Sequence, residues 1–307
     1  MTLTRVLTAL VLMPAVIAIV LFTPTWVVAI ATALITTLAL WEYFALGDAI
    51  GHRAYRLWTI FCSLLLLAQY PCVLRRDVSV FPIGVIKEPI PLIPGADSIY
   101  GYFPTGALSI KEEFLQSPAI VLLLFVLGVT VLTLWSRRAL VEALPAAGIS
   151  ASGLLLVAFP LSFAVRIHGI RFLGPRLLLF ALMIIWASDT VAYFVGRAIG
   201  KHPLAPHISP KKTWEGSLAG MLGSLALAYA FHTWLYIPLP HLFLMAILGN
   251  VAGQMGDLLE SACKRSAGVK DSGGLLPGHG GVLDRIDALI LCIPVIWYYL
   301  VLVNPHL

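Results

Sequence analysis

The stretch from Ser261 to Asp287 gathers Lys264, Arg265, Lys270 and Arg285 with Asp271, Asp284, Asp287, His279 and several glycines in 27 residues. Each residue type suits the handling of phosphate. Glycine-rich backbone can turn its N–H groups toward an anion because no Cβ intervenes. The four cations can neutralise a polyphosphate. Asp284 and Asp287 are three apart, so on a helix both carboxylates can face one point. Carboxylates among phosphate-binding cations point to a hard divalent ion, since Mg²⁺ takes one or two carboxylates together with phosphate oxygens. His279 reads better as a phosphate donor than as a general base. The sequence holds no GxxxxGK[ST], HExxH or GxSxG, which argues against P-loop ATPase, zinc-protease and serine-hydrolase chemistry.

Polar residues continue upstream at helical spacing. Asn250, Gln254, Asp257, Ser261 and Lys264 recur at intervals of four, three, four and three among Leu, Val, Met and Ala, which makes one polar stripe on one helix. Gly249, Gly253 and Gly256 lie beside it and would let another helix approach closely. Asp189, Tyr193 and Arg197 share a face in the same way. For Asn250 and Gln254 the bland reading, interhelical hydrogen bonding, is the stronger one. A carboxylate at membrane depth costs about 2.5–3.5 kcal/mol on the mildest scale, so Asp257 is expected to face a polar cavity. Asp189 either does the same or pairs with Arg197. The segment Ser209-Pro-Lys211-Lys212-Thr213-Trp-Glu215-Gly216 reads as a helix start, with Thr213 as N-cap and Glu215 in the first turn. Its two lysines before a helix N-terminus make an anion site, or else a topogenic loop.

These groups must be positioned by membrane helices. Of 307 residues 60% are hydrophobic and only 11% charged, and the mean hydropathy is +0.94; a soluble domain needs more charge to cover its surface. Apolar runs long enough to cross about 30 Å of hydrocarbon recur from end to end. They do not alternate with period two, so helices rather than strands are expected. The predicted fold is an all-α polytopic bundle of about nine transmembrane helices, near 5–22, 25–46, 56–74, 117–135, 147–166, 175–196, 215–235, 239–262 and 285–303. The first run is read as a retained span rather than a signal peptide. With the N-terminus inside, 13 of the 20 Lys and Arg residues fall on the cytoplasmic side, and Arg166, Arg171 and Arg176 oppose that bias.

Two regions are expected: 1–170, mainly hydrophobic spans, and 171–307, a catalytic region with cytoplasmic polar loops. The Pro- and Gly-rich segment from Arg75 to Phe114 reads as an irregular external loop without chemistry. The net charge of +5 fits topogenic bias, attraction to anionic lipid, or recruitment of an anionic substrate. Nucleic-acid binding is not indicated, because no basic run is interleaved with aromatics. Cys62, Cys72, Cys263 and Cys292 show neither zinc spacing nor a disulfide framework.

The same residues carry a family resemblance. Ser261-x-x-Lys264-Arg265, Lys270-Asp271, Leu276-Pro277-Gly278-His279-Gly280-Gly281 and Asp284-Arg285-x-Asp287 resemble the signature of the membrane phosphatidate cytidylyltransferases, the CDP-diacylglycerol synthases. The likeness extends upstream through Gly196-Arg197, Gly200-Lys201, Leu204-Ala205-Pro206 and Ile208 to Gly216. It also takes in Asp189-Thr190 and Ala192-Tyr193-Phe194, with Val191 where a small glycine is expected. It covers roughly the last 120 residues.

The resemblance implies that CTP and phosphatidate in the bilayer give CDP-diacylglycerol and pyrophosphate, at an inner cell membrane with the site facing the cytoplasm. It implies Mg²⁺, with room for a second cation, on Asp257 and Asp284, with Asp271 and Asp287 as secondary candidates. Lys264, Arg265, Lys270 and Arg285 would hold phosphates, and Ser261 and His279 would donate to them. Ser209, Lys211 and Lys212 would contact the lipid phosphate or the nucleotide. A homodimer is left open. The competing readings are an ion-coupled transporter using Asp189 and Asp257, and a CTP-using enzyme acting on another lipid phosphate or a polyprenol. The transporter reading lacks inverted repeats and leaves the glycine-rich cationic segment unexplained.

Overall fold

The computed structural model describes residues 2–73, 117–275 and 280–303. Those residues form nine helices in sequence order. They are α1 (Thr2–Phe22), α2 (Thr25–Ala49), α3 (Arg56–Val73), α4 (Pro118–Trp135) and α5 (Leu140–His168). After them come α6 (Gly174–Ile199), α7 (Trp214–Leu235), α8 (Leu239–Ser266) and α9 (Leu283–Val303). Seven are long and apolar enough to cross a bilayer, while α1 and α3 contribute shorter apolar stretches, Leu12–Phe22 and Arg56–Gln69. The chain is an all-α polytopic membrane protein. Helices satisfy their own backbone groups, which lipid cannot do.

Two departures from the expected spans have physical causes. α5 begins near Leu140 with a 3₁₀ turn and contains a π segment at Leu154–Ala158. Pro160 follows at once; it lacks an N–H and its ring collides with the carbonyl four residues back, and a wider turn just before it relieves that collision. α8 runs to Ser266, one turn beyond the expected end, so Cys263, Lys264 and Arg265 sit on the helix rather than in the loop.

The segment between α6 and α7 also folds in a way the sequence did not announce. Strands β1 (Pro203–Ala205) and β2 (Ser209–Thr213) pair antiparallel as a small hairpin. Thr213 Oγ1 then accepts the Gly216 N–H at 3.2 Å, the expected N-cap of α7.

Small residues set the closest helix contacts. A methyl on Gly220 would meet Ser188 O of α6 at 3.0 Å, and one on Gly256 would meet Asp287 O of α9 at 2.5 Å. At Gly249 it would meet Ile184 Cδ1 at 2.9 Å. The glycines of α7 and α8 thus let backbones approach where side chains would separate them. On the other side of the bundle, Phe44 of α2 packs over Gly153 of α5, its ring 2.8 Å from where a Cβ would stand. His168 is buried and satisfied by Thr25 Oγ1 at 3.0 Å and Val20 O at 2.9 Å, tying the α1–α2 turn to α5. This packing seats α2 against the core and points Glu42 inward.

Candidate active site

The polar stripe of α8 divides into two parts with different work. At the deeper end, Gln254 donates to Asn250 Oδ1 at 2.6 Å and accepts from Ser217 Oγ of α7 at 2.5 Å. Asn250 donates to Ser224 Oγ at 2.8 Å, which in turn donates to Ile184 O of α6 at 2.9 Å. This chain is the interhelical glue expected of Asn250 and Gln254, worth roughly 0.6 kcal/mol per bond in such bundles.

Toward the polar end the stripe becomes charged. Lys212 of β2 forms an ion pair with Asp257. Ser261 Oγ stands 3.4 Å from the other oxygen of Asp257. A cavity of about 740 Å³ opens beside this pair, lined by Asp189, Tyr193, Arg197, Lys211, Lys212 and Asp257 among others. Asp189 sits in the field of Asp257, Lys212 and Arg285, while Asp287 sits in the field of Asp257, Glu260 and Asp189. Three helices therefore converge their carboxylates near Asp257. Arg197 donates to Tyr193 OH at 3.0 Å, so among the described residues its partner is that tyrosine rather than Asp189. Phe194, Leu218 and Leu222, outside the cavity on α6 and α7, are exposed, as befits a wall that faces lipid.

One turn further, Lys264 bridges two buried acids. Its Nζ is 2.5 Å from Glu260 Oε2 and 2.6 Å from Asp284 Oδ1, and both carboxylates are under one-tenth exposed. The second oxygen of Asp284 accepts the N–H groups of Ser272 at 3.0 Å and Gly281 at 2.8 Å. Gly280 has φ +78°, and a Cβ there would stand 2.8 Å from that oxygen. Backbone N–H groups of the glycine-rich segment are thus directed at an anion, and the anion is the protein's own Asp284.

Glu42 completes this arrangement. It is buried, and its Oε2 accepts the Leu283 N–H at 2.8 Å and the Ser272 hydroxyl at 3.2 Å. Gly273 and Gly281 lie so close to its carboxylate that a methyl at either would collide with it. Glu42 belongs to the half of the chain expected to supply only hydrocarbon. The sequence did carry a signal: Glu42 is an acid within a long apolar run, the kind of residue that needs a partner in a membrane. Nothing local named that partner.

The remaining candidates are dispersed. Arg265 donates to Ile208 O at 3.3 Å and Val269 O at 3.2 Å, joining α8 to the β1–β2 turn. Arg285 faces Asp189 electrostatically. Lys270 and Asp271 are exposed on the segment after α8, and neither they nor Ser209 line the cavity. His279 lies outside the described residues, as do Leu276, Pro277 and Gly278 and the segment from Arg75 to Phe114.

Among the described residues no three His, Cys, Asp or Glu side chains are gathered closely enough to hold a metal by themselves. The residue types nonetheless suit a hard cation: Asp257 and Asp287 are carboxylates within each other's electrostatic reach, and a Mg²⁺ ion takes one or two carboxylates with water and phosphate completing its shell. Asp284 is already engaged by Lys264 and two N–H groups, and enters such a shell only through a remaining lone pair.

The comparisons with known proteins converge on one family. A model of the cytidylyltransferase family matches residues 3–303. The chain belongs to the cytidylyltransferase family. It is similar to curated phosphatidate cytidylyltransferases of Bacillus subtilis, 42% identical over 142 residues, which is 46% of this chain and 53% of that protein. The likeness is 46% over 125 residues to that of Staphylococcus epidermidis, 40% of this chain and 48% of the relative. It is 43% over 132 residues to that of Haemophilus influenzae, covering 41% and 46%. These alignments span about half the length of the relatives. The family model, by contrast, takes in α2 and Glu42 as well as the charged end of α8.

Proposed function

We propose that this cytidylyltransferase-family member transfers CMP from CTP to phosphatidate, giving CDP-diacylglycerol and pyrophosphate at a cell membrane, with its site on the cytoplasmic face. The observation that carries this reading is the Lys212–Asp257 pair at the mouth of a cavity walled by membrane helices. A charged phosphate site and a lipid-facing wall meet there. The relatives named phosphatidate cytidylyltransferase support the substrate pair, and the Lys and Arg distribution supports the orientation.

The chemistry asks little of a general base. The phosphatidate phosphate is already an anion, and one of its oxygens attacks the α-phosphorus of CTP. A P–O bond forms as the bond to the β-phosphate oxygen breaks, and pyrophosphate leaves with the electron pair. The protein's task is to bring two anions together and hold them in line. Lys211 and Lys212 would draw the lipid phosphate into the cavity, and Arg285 and Arg265 would hold the nucleotide phosphates. Lys264, pre-positioned between Glu260 and Asp284, would place fixed positive charge where negative charge grows on the leaving group. Asp257 and Asp287 would hold Mg²⁺, with Asp284 and Asp271 as further candidates and room for a second cation. Bound there, the ion would neutralise phosphate oxygens. Ser261 would orient Asp257 or donate to a phosphate, and Lys270, Ser209 and His279 are assigned to the nucleotide side.

The deciding assay is purified protein in detergent with CTP labelled in the cytosine ring, phosphatidate and Mg²⁺. Labelled CDP-lipid is the expected product. If that label stays out of lipid while a parallel reaction with CTP labelled at the γ-phosphate puts label into it, the chain is a lipid kinase instead. Product from another lipid phosphate but not from phosphatidate would redirect the substrate assignment.

A further inference from the structure

Away from Asp257, the connector between α2 and α3 and the connector after α4 border a second, open cavity of about 580 Å³. Arg53, Arg56 and Arg138 line it against one acid, Asp48, together with Tyr55, Trp58, Leu57 and Leu132. Three arginines and one aspartate leave two positive charges in excess.

The walls are held in place by the fold. Trp58 Nε1 donates to Phe125 O at 3.1 Å, and Tyr55 OH lies 2.9 Å from Thr133 Oγ1. The Tyr55 N–H donates to Ser150 Oγ of α5 at 2.7 Å. Arg138 stacks its guanidinium 4.9 Å over the Tyr55 ring while Nη1 donates to Arg53 O at 2.5 Å. Arg56 pairs with Asp48 and lies 5.4 Å from the Trp41 ring centroid. Arg53 itself is exposed, and its guanidinium makes no ion pair or hydrogen bond among the described residues. Topogenic charge explains basic residues in a connector. It does not explain why arginines 85 positions apart in sequence share one aromatic-walled cavity.

The rim shows what kind of anion fits. Leu57 is 82% exposed and Trp135 80% exposed. Both stand at the ends of helices that bear this cavity, where a bilayer's head groups meet its acyl chains and where tryptophan is favoured. A free phosphate would use the cations and ignore this apolar edge. A phospholipid would use both: phosphate on the arginines, glycerol and acyl chains along Leu57, Leu132 and Trp135. Basic pockets between membrane helices suit acidic lipid head groups on the same physical grounds.

We propose that this cavity binds the head group of an anionic phospholipid from the surrounding bilayer, at a site separate from the one around Asp257, with Arg53 and Arg138 holding the phosphate. The proposal stands whether or not the chain acts on phosphatidate.

Native mass spectrometry of the purified protein tests it, with phosphatidylglycerol and phosphatidylcholine as paired probes and inorganic phosphate as competitor. The wild type is expected to retain phosphatidylglycerol over phosphatidylcholine, and inorganic phosphate in excess should not displace it. Arg53→Ala removes a guanidinium that no residue of the described fold uses, and it should weaken phosphatidylglycerol retention about fivefold, the worth of one basic residue near an acidic lipid surface. Arg53→Lys should recover most of that loss. Arg171→Ala, a basic residue that lines neither cavity, should leave retention unchanged. Equal retention of the two lipids, unaltered binding by Arg53→Ala, displacement by inorganic phosphate, or loss in Arg171→Ala would each overturn the proposal.

Discussion

Glu42 on α2 accepts the Leu283 N–H at 2.8 Å, so two residues 241 positions apart meet where the last helix begins. The same oxygen takes the Ser272 hydroxyl, and Ser272 N–H goes on to Asp284. A single buried carboxylate therefore fixes both ends of the glycine-rich segment, and with them the acid that holds Lys264.

Glu42→Ala should be destabilising and inactive. It leaves a buried N–H and a buried hydroxyl without their acceptor, at a cost of about 1–3 kcal/mol for each unsatisfied group. Thermal unfolding in detergent should show a lower midpoint, and CTP turnover per folded molecule should fall further than the folded fraction does. Glu42→Gln keeps an acceptor oxygen and should lose less on both measures. Wild-type turnover in Glu42→Ala would show that the loop holds its shape unaided.

Lys264→Met should cost at least about a hundredfold in kcat/KM, the scale of removing one preorganised charge from a developing anion. Glu260 and Asp284 would then remain buried without their cation, so stability should also drop. Lys264→Arg should not rescue activity, since a planar guanidinium does not replace a compact ammonium between two carboxylates. Steady-state kinetics alongside unfolding curves separates the two losses, and rescue by arginine would count against the bridge.

Asp257→Asn keeps the shape of the side chain and removes the charge that Lys212 and a cation would share. CTP-dependent CDP-lipid formation is expected to fall by about 10²- to 10³-fold, with the Mg²⁺ requirement shifted to higher concentration. Chelating Mg²⁺ from the wild type should abolish turnover reversibly. Near-normal turnover by a well-expressed Asp257→Asn protein would remove this residue from the metal assignment.

Gly256→Ala tests whether helix spacing sets the geometry. The added methyl would stand 2.5 Å from Asp287 O, so α8 and α9 must separate and the carboxylates of Asp257 and Asp287 move apart. The expected result is a raised Mg²⁺ requirement and reduced turnover without loss of the folded protein. Unchanged Mg²⁺ titration would mean that Asp287 does not share an ion with Asp257.

Composition and hydropathy already specify the class of molecule and most of its helices, because hydropathy over a window of about twenty residues is a local property that lipid enforces. The sequence also marked where phosphate chemistry is expected, since cations, acids and glycines within a few turns leave a local mark. The stripe Asn250, Gln254, Asp257, Ser261 and Lys264 was legible from helical periodicity alone.

Tertiary structure decided how those groups divide their work. The packing of α6, α7 and α8 named the partners of Asn250 and Gln254, Ser224 and Ser217, and only the β1–β2 hairpin brought Lys212 to Asp257. The glycine-rich segment looked like a cradle for a ligand's phosphate; several of its N–H groups instead serve Asp284 and Glu42. Glu42 could not be paired from sequence, because pairing depends on which helices touch, and a run of leucines and valines says only that a helix faces something apolar. The physical reason is one of range. Hydrophobicity and periodicity act along the chain, whereas a buried carboxylate is satisfied through space by whichever donors the fold carries to it.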